Sequence, residues 1–437
     1  MSVERLARSE VERLGPAATA AGLRARVPGA ASVEEAVREI IARVRTGGDA
    51  ALTELVRRHD TRGGRPRSLR VSPEELDEAI RTLSLDVVAG LQVTIANLAE
   101  VAQYSVGEDA EVSLAQGQRI LLRDIPVASA AVYVPGGRAP YLSTVVMGVV
   151  TARAAGVSEV SVCAPPSPDG DVHPAILAAC RLCGVPTVYR MGGAHAVAAL
   201  AHGTDTVTAV DVIVGPGNLW VQEAKRQLSA VVGIDGFAGP SDLLVVMAHD
   251  GDPHLVALDL MAQAEHGAET LVGALCPSGE ALDALAAELE DLARDHPGIR
   301  PAACVLVHVP DLEGALQVAN HFAPEHLQLV GAAAERLASS VRTAGCLFVG
   351  TASATAFGDY VAGSNHVLPT GGAARFSSGL SVRHFRRRMA EVHVGRGATM
   401  LARAGAPVAR AEGFELHAQS MEARAQPAAG RSTGARP

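Results

Sequence analysis

The sequence predicts an α/β protein with two α/β units of similar build, preceded by a largely helical region and followed by a helical extension. Three observations carry this. From about Pro126, short continuous apolar runs alternate with helical segments that end on glycine, the signature of strands buried on both faces of a parallel sheet. The same alternation restarts after about residue 240. The chain is 437 residues long, too long for one simple core.

Up to about Leu122 the sequence reads as helical. Ser32-Val-Glu-Glu35 and Ser72-Pro-Glu-Glu75 have the form of capping boxes, the second with proline at the first helical position. Gly47-Gly48-Asp49 separates one helix from the next.

In the first α/β unit, AAVYVP (130–135), SEVSVCAP, TVYRM and VDVIVG read as strands. Helices lie between them, ending on Gly156, Gly184 and Gly203. The segment GPGN (215–218) follows a strand and opens the helix LWVQEAKRQL, a setting suited to a phosphate or carboxylate. It is not the dinucleotide fingerprint G-x-G-x-x-G.

In the second unit, LLVVMA, TLVGALC, ACVLVHV, HLQLVG and CLFVG read as strands. The helix DPHLVALDLMAQAEHG has Asp252 as its cap and Pro253 at its first position. After about Gly379 the chain reads as helical and charged, and AQPAAGRSTGARP at its end has the composition of a disordered tail.

Composition narrows the function. The net charge of −9 and the single dense basic run, Arg383–Arg388, argue against a nucleic-acid partner. No apolar run reaches the length of a membrane span, and the charged N-terminus lacks a signal-peptide core, so a cytoplasmic protein is expected. Six cysteines lie mostly in apolar stretches and read as buried free thiols, including the Cys180/Cys183 pair.

Three polar segments stand out. Gln263 and His266, three apart, share a helix face and could contribute to a metal site. The glycine-dense stretch FGDYVAGSNHVLPTGG carries Asp359 and His366 in a loop built for close approach. In EGFELHAQS, Glu412 and His417 are five apart, which fits two roles or a helix boundary. A fourth segment, NHFAPEHLQLV, sets Glu325 beside His326. Neighbouring residues do not share a helix face or a strand face. The plain reading is a loop where both reach water; the alternative is one corner of a site that handles two different protons.

In order along the chain, YVPGG, GGAHAVAALAHGT, VDVIVGPGN, AGPSD, QAEHG, APEHL, GDYVAGSNHVLPT, SSGLSV and EGFELHA resemble the histidinol dehydrogenase family, over roughly residues 30–425. The resemblance implies two incomplete Rossmann-like α/β/α domains, one from 30–132 with 241–380 and one, binding NAD, from 133–240. It also implies an N-terminal arm (1–29) and a dimerisation extension (381–425), with 426–437 as the tail. The implied activity is oxidation of L-histidinol to L-histidine through a bound aldehyde, with NAD and one zinc ion, in a homodimer. The implied zinc ligands are Gln263, His266, Asp359 and His417, the last from the partner subunit. Glu325 and His326 would be the acid/base residues. Substrate contacts would be Ser241, His366 and Glu412, with the zinc ligands and His326, and NAD contacts would be Tyr133, His195 and Asn218.

This sequence departs from the family pattern in three places. His195 stands where Gln is common, Thr151 where Pro is usual, and Asp242 where Glu is usual. EGFELHAQS is also similar to a branch that oxidises other primary alcohols, such as a sulfonated propanediol, so such a substrate is the alternative expectation.

Overall fold

In the computed structural model, residues 2–27, 32–64, 67–136, 139–237 and 239–425 are described. The expected tail, 426–437, lies outside them. The chain divides into two compact units, one of residues 1–106 with 127–385 and the other of 107–126 with 386–437.

The first unit holds two fully parallel sheets. One has six strands in the order Val3–Leu6, Ala303–His308, Leu271–Cys276, Asp242–Met247, His326–Val330, Cys346–Val349. The other has five, in the order Thr187–Arg190, Glu159–Ala164, Ser129–Tyr133, Val212–Val214, Gly233–Ile234. The central strands are buried along their whole length, as continuous apolar runs require. In both sheets the chain builds outward on one side and then returns to the other side of its starting strand. The strand order therefore reverses beside Asp242–Met247 in one sheet and beside Ser129–Tyr133 in the other. Such reversals open a crevice outside the carboxyl ends of the strands.

Helices cover the sheets. The Pro253–Ala264 helix packs on Gly279–Asp295, and Pro16–Arg24 packs on Leu312–Phe322. On the five-stranded sheet, Leu142–Ala154 is buried from Thr144 through Ala152. It lies so close to the sheet that a Cβ on Gly148 would stand 2.5 Å from the Val132 side chain. The Glu34–Leu55 helix packs on Gly193–His202, and its backbone leaves helical geometry at Gly48 (φ 52°, ψ −141°), the expected break.

Other expectations need correcting. Ser72 closes its capping box with Glu75, but Ser32 forms no such box: Val33 is the capping residue, and Ser32 Oγ only accepts the Glu34 N–H, at 3.5 Å. The Leu85–Tyr104 helix is long and apolar enough to cross a membrane by length and composition, contrary to the expectation of no such run. Its buried residues Leu91, Thr94, Leu98 and Ala102 recur every three or four positions, and it packs on Leu142–Ala154.

The second unit is not purely helical. Arg386–His393 pairs antiparallel with Arg119–Pro126, which pairs with Ala110–Ser113. Ala110–Ser113 is exposed along its length, and Arg386–His393 is charged and largely exposed, so neither shows the apolar alternation that marks a half-buried strand. Two helices follow, Ala398–Ala411 and Glu415–Ala425, packed on each other through Ala406, Ala409 and Ala418.

Candidate active site

The polar segments gather at the amino edge of the six-stranded sheet. His326 is the first residue of its strand, in register with Leu243 and Cys346, and Glu325 immediately precedes it. Neither reaches water freely: Glu325 is 7% exposed and His326 2%, so the plain reading of a solvated corner is wrong. The turn that delivers them is tight. Ala323, which ends the preceding helix ahead of Pro324, takes the left-handed conformation (φ 52°) that a non-glycine residue rarely adopts.

Glu325 is held from three directions. Its Oε2 accepts the Ser241 hydroxyl at 2.5 Å and the Asp242 backbone N–H at 3.1 Å. In return its own N–H donates to Asp242 Oδ1 at 2.7 Å. Asp242, 1% exposed, gives its other oxygen to Arg24 Nη1 at 2.5 Å. Arg24 is itself fixed by the Phe322 carbonyl at 2.7 Å, with its guanidinium over the Phe322 ring. Sequence reasoning missed Arg24 altogether and noted Asp242 only as a departure from a pattern.

His326 lies between carboxylates. Its Nδ1 is 3.7 Å from Glu325 Oε2, and its Nε2 is 3.8 Å from Asp359 Oδ1. Burial pushes the Glu325 carboxyl up to about 7, against the pull of His326. Burial alone would lower the His326 imidazole, but Glu325 and then Asp359 outweigh it and raise it to about 9. Burial also disfavours the charge on Asp359, yet His326, His366 and His266 together hold its carboxyl below the ordinary range.

Gln263 and His266 meet at Ser241, although they do not share a helix face as expected: the helix ends at Ala264 and His266 lies in the turn beyond it. Gln263 Nε2 donates to Ser241 Oγ at 2.5 Å, and His266 Nδ1 lies 3.4 Å from the same oxygen. His366 sits in the loop after the Thr355–Tyr360 helix, its Nδ1 2.9 Å from the Asp359 carbonyl and its Nε2 3.4 Å from Thr144 Oγ1. Glu325, His326, Ser241, Gln263, His266, Asp359 and His366 thus belong to one neighbourhood of the first unit. Glu412 and His417 belong to the second unit. Glu412 ends the Ala398–Ala411 helix and His417 lies on the next helix, the boundary their spacing allowed.

Among the described residues no three His, Cys, Asp or Glu side chains form a group able to hold a metal. The first unit alone offers imidazole (His266), carboxylate (Asp359) and amide oxygen (Gln263), a mixed N/O set of types that suit zinc. With its Nε2 spent on Ser241, Gln263 keeps its carbonyl oxygen as the remaining donor atom.

The three residues expected at NAD flank the carboxyl edge of the five-stranded sheet. Tyr133 ends the central strand, and Asn218 follows the neighbouring strand through the Gly215–Gly217 turn. That turn presses on Tyr133: Gly215 has φ +114°, and a Cβ there would stand 2.2 Å from the Tyr133 carbonyl oxygen. The Asn218 side chain accepts the N–H groups of Trp220 and Val221, so two of the helix-end donors are already used by the chain itself. His195 is buried, with Nε2 3.0 Å from Asp60 Oδ2.

The histidinol dehydrogenase family profile matches residues 24–425. This chain belongs to that family. It is 40% identical over 400 residues to the histidinol dehydrogenase of a Synechococcus species, covering 90% of this chain and 92% of that protein. It is 43% identical over 404 residues to that of Cereibacter sphaeroides, with 90% and 92% covered. Its fold matches the crystal structure of histidinol dehydrogenase from Elizabethkingia anophelis with a TM-score of 0.89 at 29% identity, over 97% and 98% of the two chains. A histidinol dehydrogenase-family protein is an oxidoreductase, and membership supports a role in histidine biosynthesis. The same match supports the predicted α/β class with parallel sheets.

Proposed function

We propose that this protein oxidises L-histidinol to L-histidine in two successive two-electron steps, through the aldehyde, as a homodimer. The observation that carries the reading is the burial of Glu325 and His326 together, within reach of Ser241 and Asp359, in a family of dehydrogenases. Bound zinc would hold the substrate's nitrogens in place, and bound NAD would accept a hydride in each step.

Gln263, His266 and Asp359, with His417 contributed by the partner subunit, are the residues assigned to the metal. Ser241, His366 and Glu412 are assigned to the substrate, alongside His326 and the metal ligands. In the first step His326 takes the hydroxyl proton as the carbon loses its hydride. In the second step Glu325, as carboxylate, takes a proton from water attacking the aldehyde carbon. His326, having released its first proton to solvent, then takes the remaining hydroxyl proton as the second hydride passes to NAD. The hydrogen bonds of Ser241 and Asp242 aim the Glu325 carboxylate for this task. Tyr133, His195 and Asn218 are assigned to NAD, at the edge of the five-stranded sheet where its strand order reverses.

The decisive experiment supplies L-histidinol and NAD to the purified protein and counts NADH. About two NADH per substrate, lost on chelation and restored by zinc, is expected from the two-hydride mechanism. Absence of turnover on histidinol, together with oxidation of a sulfonated diol, would overturn the substrate assignment.

A further inference from the structure

His195 stands where the family resemblance implies an amide side chain. It is 2% exposed, at the start of the Gly193–His202 helix. Its Nε2 lies 3.0 Å from Asp60 Oδ2, on a carboxylate that is itself buried (7% side-chain exposure). The same oxygen accepts the backbone N–H of Gly192 at 3.0 Å. The next N–H, from Gly193, donates to the Tyr133 hydroxyl at 3.0 Å. The other edge of the His195 ring faces this turn: a Cβ on Gly193 (φ +60°) would stand 3.3 Å from Cε1 and 3.4 Å from Nδ1. Gly192 is pressed equally hard on its far side, where a Cβ would stand 2.5 Å from Pro165. Asp60 therefore joins His195 to the glycine turn, and the turn joins both to Tyr133.

We infer that Asp60 is the positioning residue of the dinucleotide site, holding His195 with Nε2–H on the carboxylate and Nδ1 toward the Gly192–Gly193 turn. A glutamine carries its own donor and acceptor on a rotatable amide. An imidazole has two nitrogens whose roles are set by whichever hydrogen bond the other makes. The change at position 195 thus needs a second group to define the ring, and Asp60 is that group. Being acceptor-only, it selects the Nε2–H form and leaves Nδ1 on the turn side. The inference rests on the assignment of His195 to NAD.

The test has two readouts, one of which needs no cofactor. Imidazole ¹⁵N shifts in the NAD-free protein report the His195 tautomer, and protein fluorescence reports the Kd of NAD. Asp60→Ala is expected to abolish the Nε2–H preference and to raise the Kd by about tenfold, the weight of one charge-assisted hydrogen bond. Asp60→Ser, polar but too short to reach the ring, gives the same test in a variant that tolerates the loss of Asp60 more easily. Asp60→Asn, which keeps a neutral acceptor in place, should recover most of both. An Asp60 variant that binds NAD as tightly as the parent, or more weakly with the tautomer unchanged, would sink the inference. If His195→Ala, Tyr133→Phe and Asn218→Ala all leave the Kd unchanged, NAD binds elsewhere and the underlying assignment is what fails.

Discussion

Asp242 and Glu325 hold each other: the backbone N–H of each donates to the carboxylate of the other, at 3.1 and 2.7 Å. Two buried acids this close would repel, but Arg24 offsets the charge of one and Ser241 and His326 engage the other. Asp242→Ala would leave Arg24 and the Glu325 N–H without their acceptor. Breaking a buried pair in this way costs about 3–5 kcal/mol, which urea unfolding would register. Asp242→Glu, which keeps the carboxylate, should cost far less. Equal losses for the two variants would show that the paired geometry is not what matters.

Glu325→Gln keeps the size of the side chain and removes its capacity to take a proton. Oxidation of the aldehyde should slow by about 10²-fold or more, a typical weight for a general base, and oxidation of the alcohol much less. Single-turnover rates with each substrate separate the two steps. Wild-type rates from the aldehyde would refute the role.

The pH dependence of the metal-free protein has a defined sign. Glu325 rises from its ordinary 4.5 to about 7 in the fold, so the folded chain keeps a proton that the unfolded chain releases. That stabilisation is complete below about pH 4.5 and is lost as pH rises through 7. His326 rises from 6.5 to about 9, and its contribution disappears over that higher range. Thermal unfolding after chelation should therefore show stability falling from pH 5 to 9, with Glu325→Gln removing the lower part of the slope and, because Glu325 is the main charge raising His326, flattening the upper part as well. A curve rising across this interval would contradict the burial of the pair.

Asp359→Ala and His417→Ala should each lower the zinc content of the purified protein, measured by elemental analysis, whereas His366→Ala should keep the metal and raise KM. Full zinc occupancy in the first two would remove them from the ligand set. Mixing chains defective in Glu325 with chains defective in His417 should restore part of the activity, because one of the two hybrid sites is then intact. No recovery after verified subunit exchange would place each site within a single chain.

The parallel sheets were legible because strands covered on both faces must be apolar throughout, and runs such as LLVVM and HLQLV have no other use. Arg386–His393 was not legible. Its partner strand is over 260 residues away and its side chains face water on both sides, so nothing local marks it. The site divides in the same way. Gln263 and His266 could be paired from their spacing, and they do converge on Ser241, although His266 lies in the turn past the helix end. Arg24 could not, since its partner Asp242 lies 218 positions further on and only the assembled sheet brings them together. The burial of Glu325 and His326 was hidden for a related reason. A Pro-Glu-His sequence resembles a loop until the strands on either side of it are known.

His326 is locked into the ladder of a central strand, whereas His366 lies in a loop and Glu412 in the other unit. On the proposed roles, the base is fixed by sheet register and does not drift when the loop and C-terminal residues assigned to the substrate are exchanged. Proton handling and substrate choice would then vary separately.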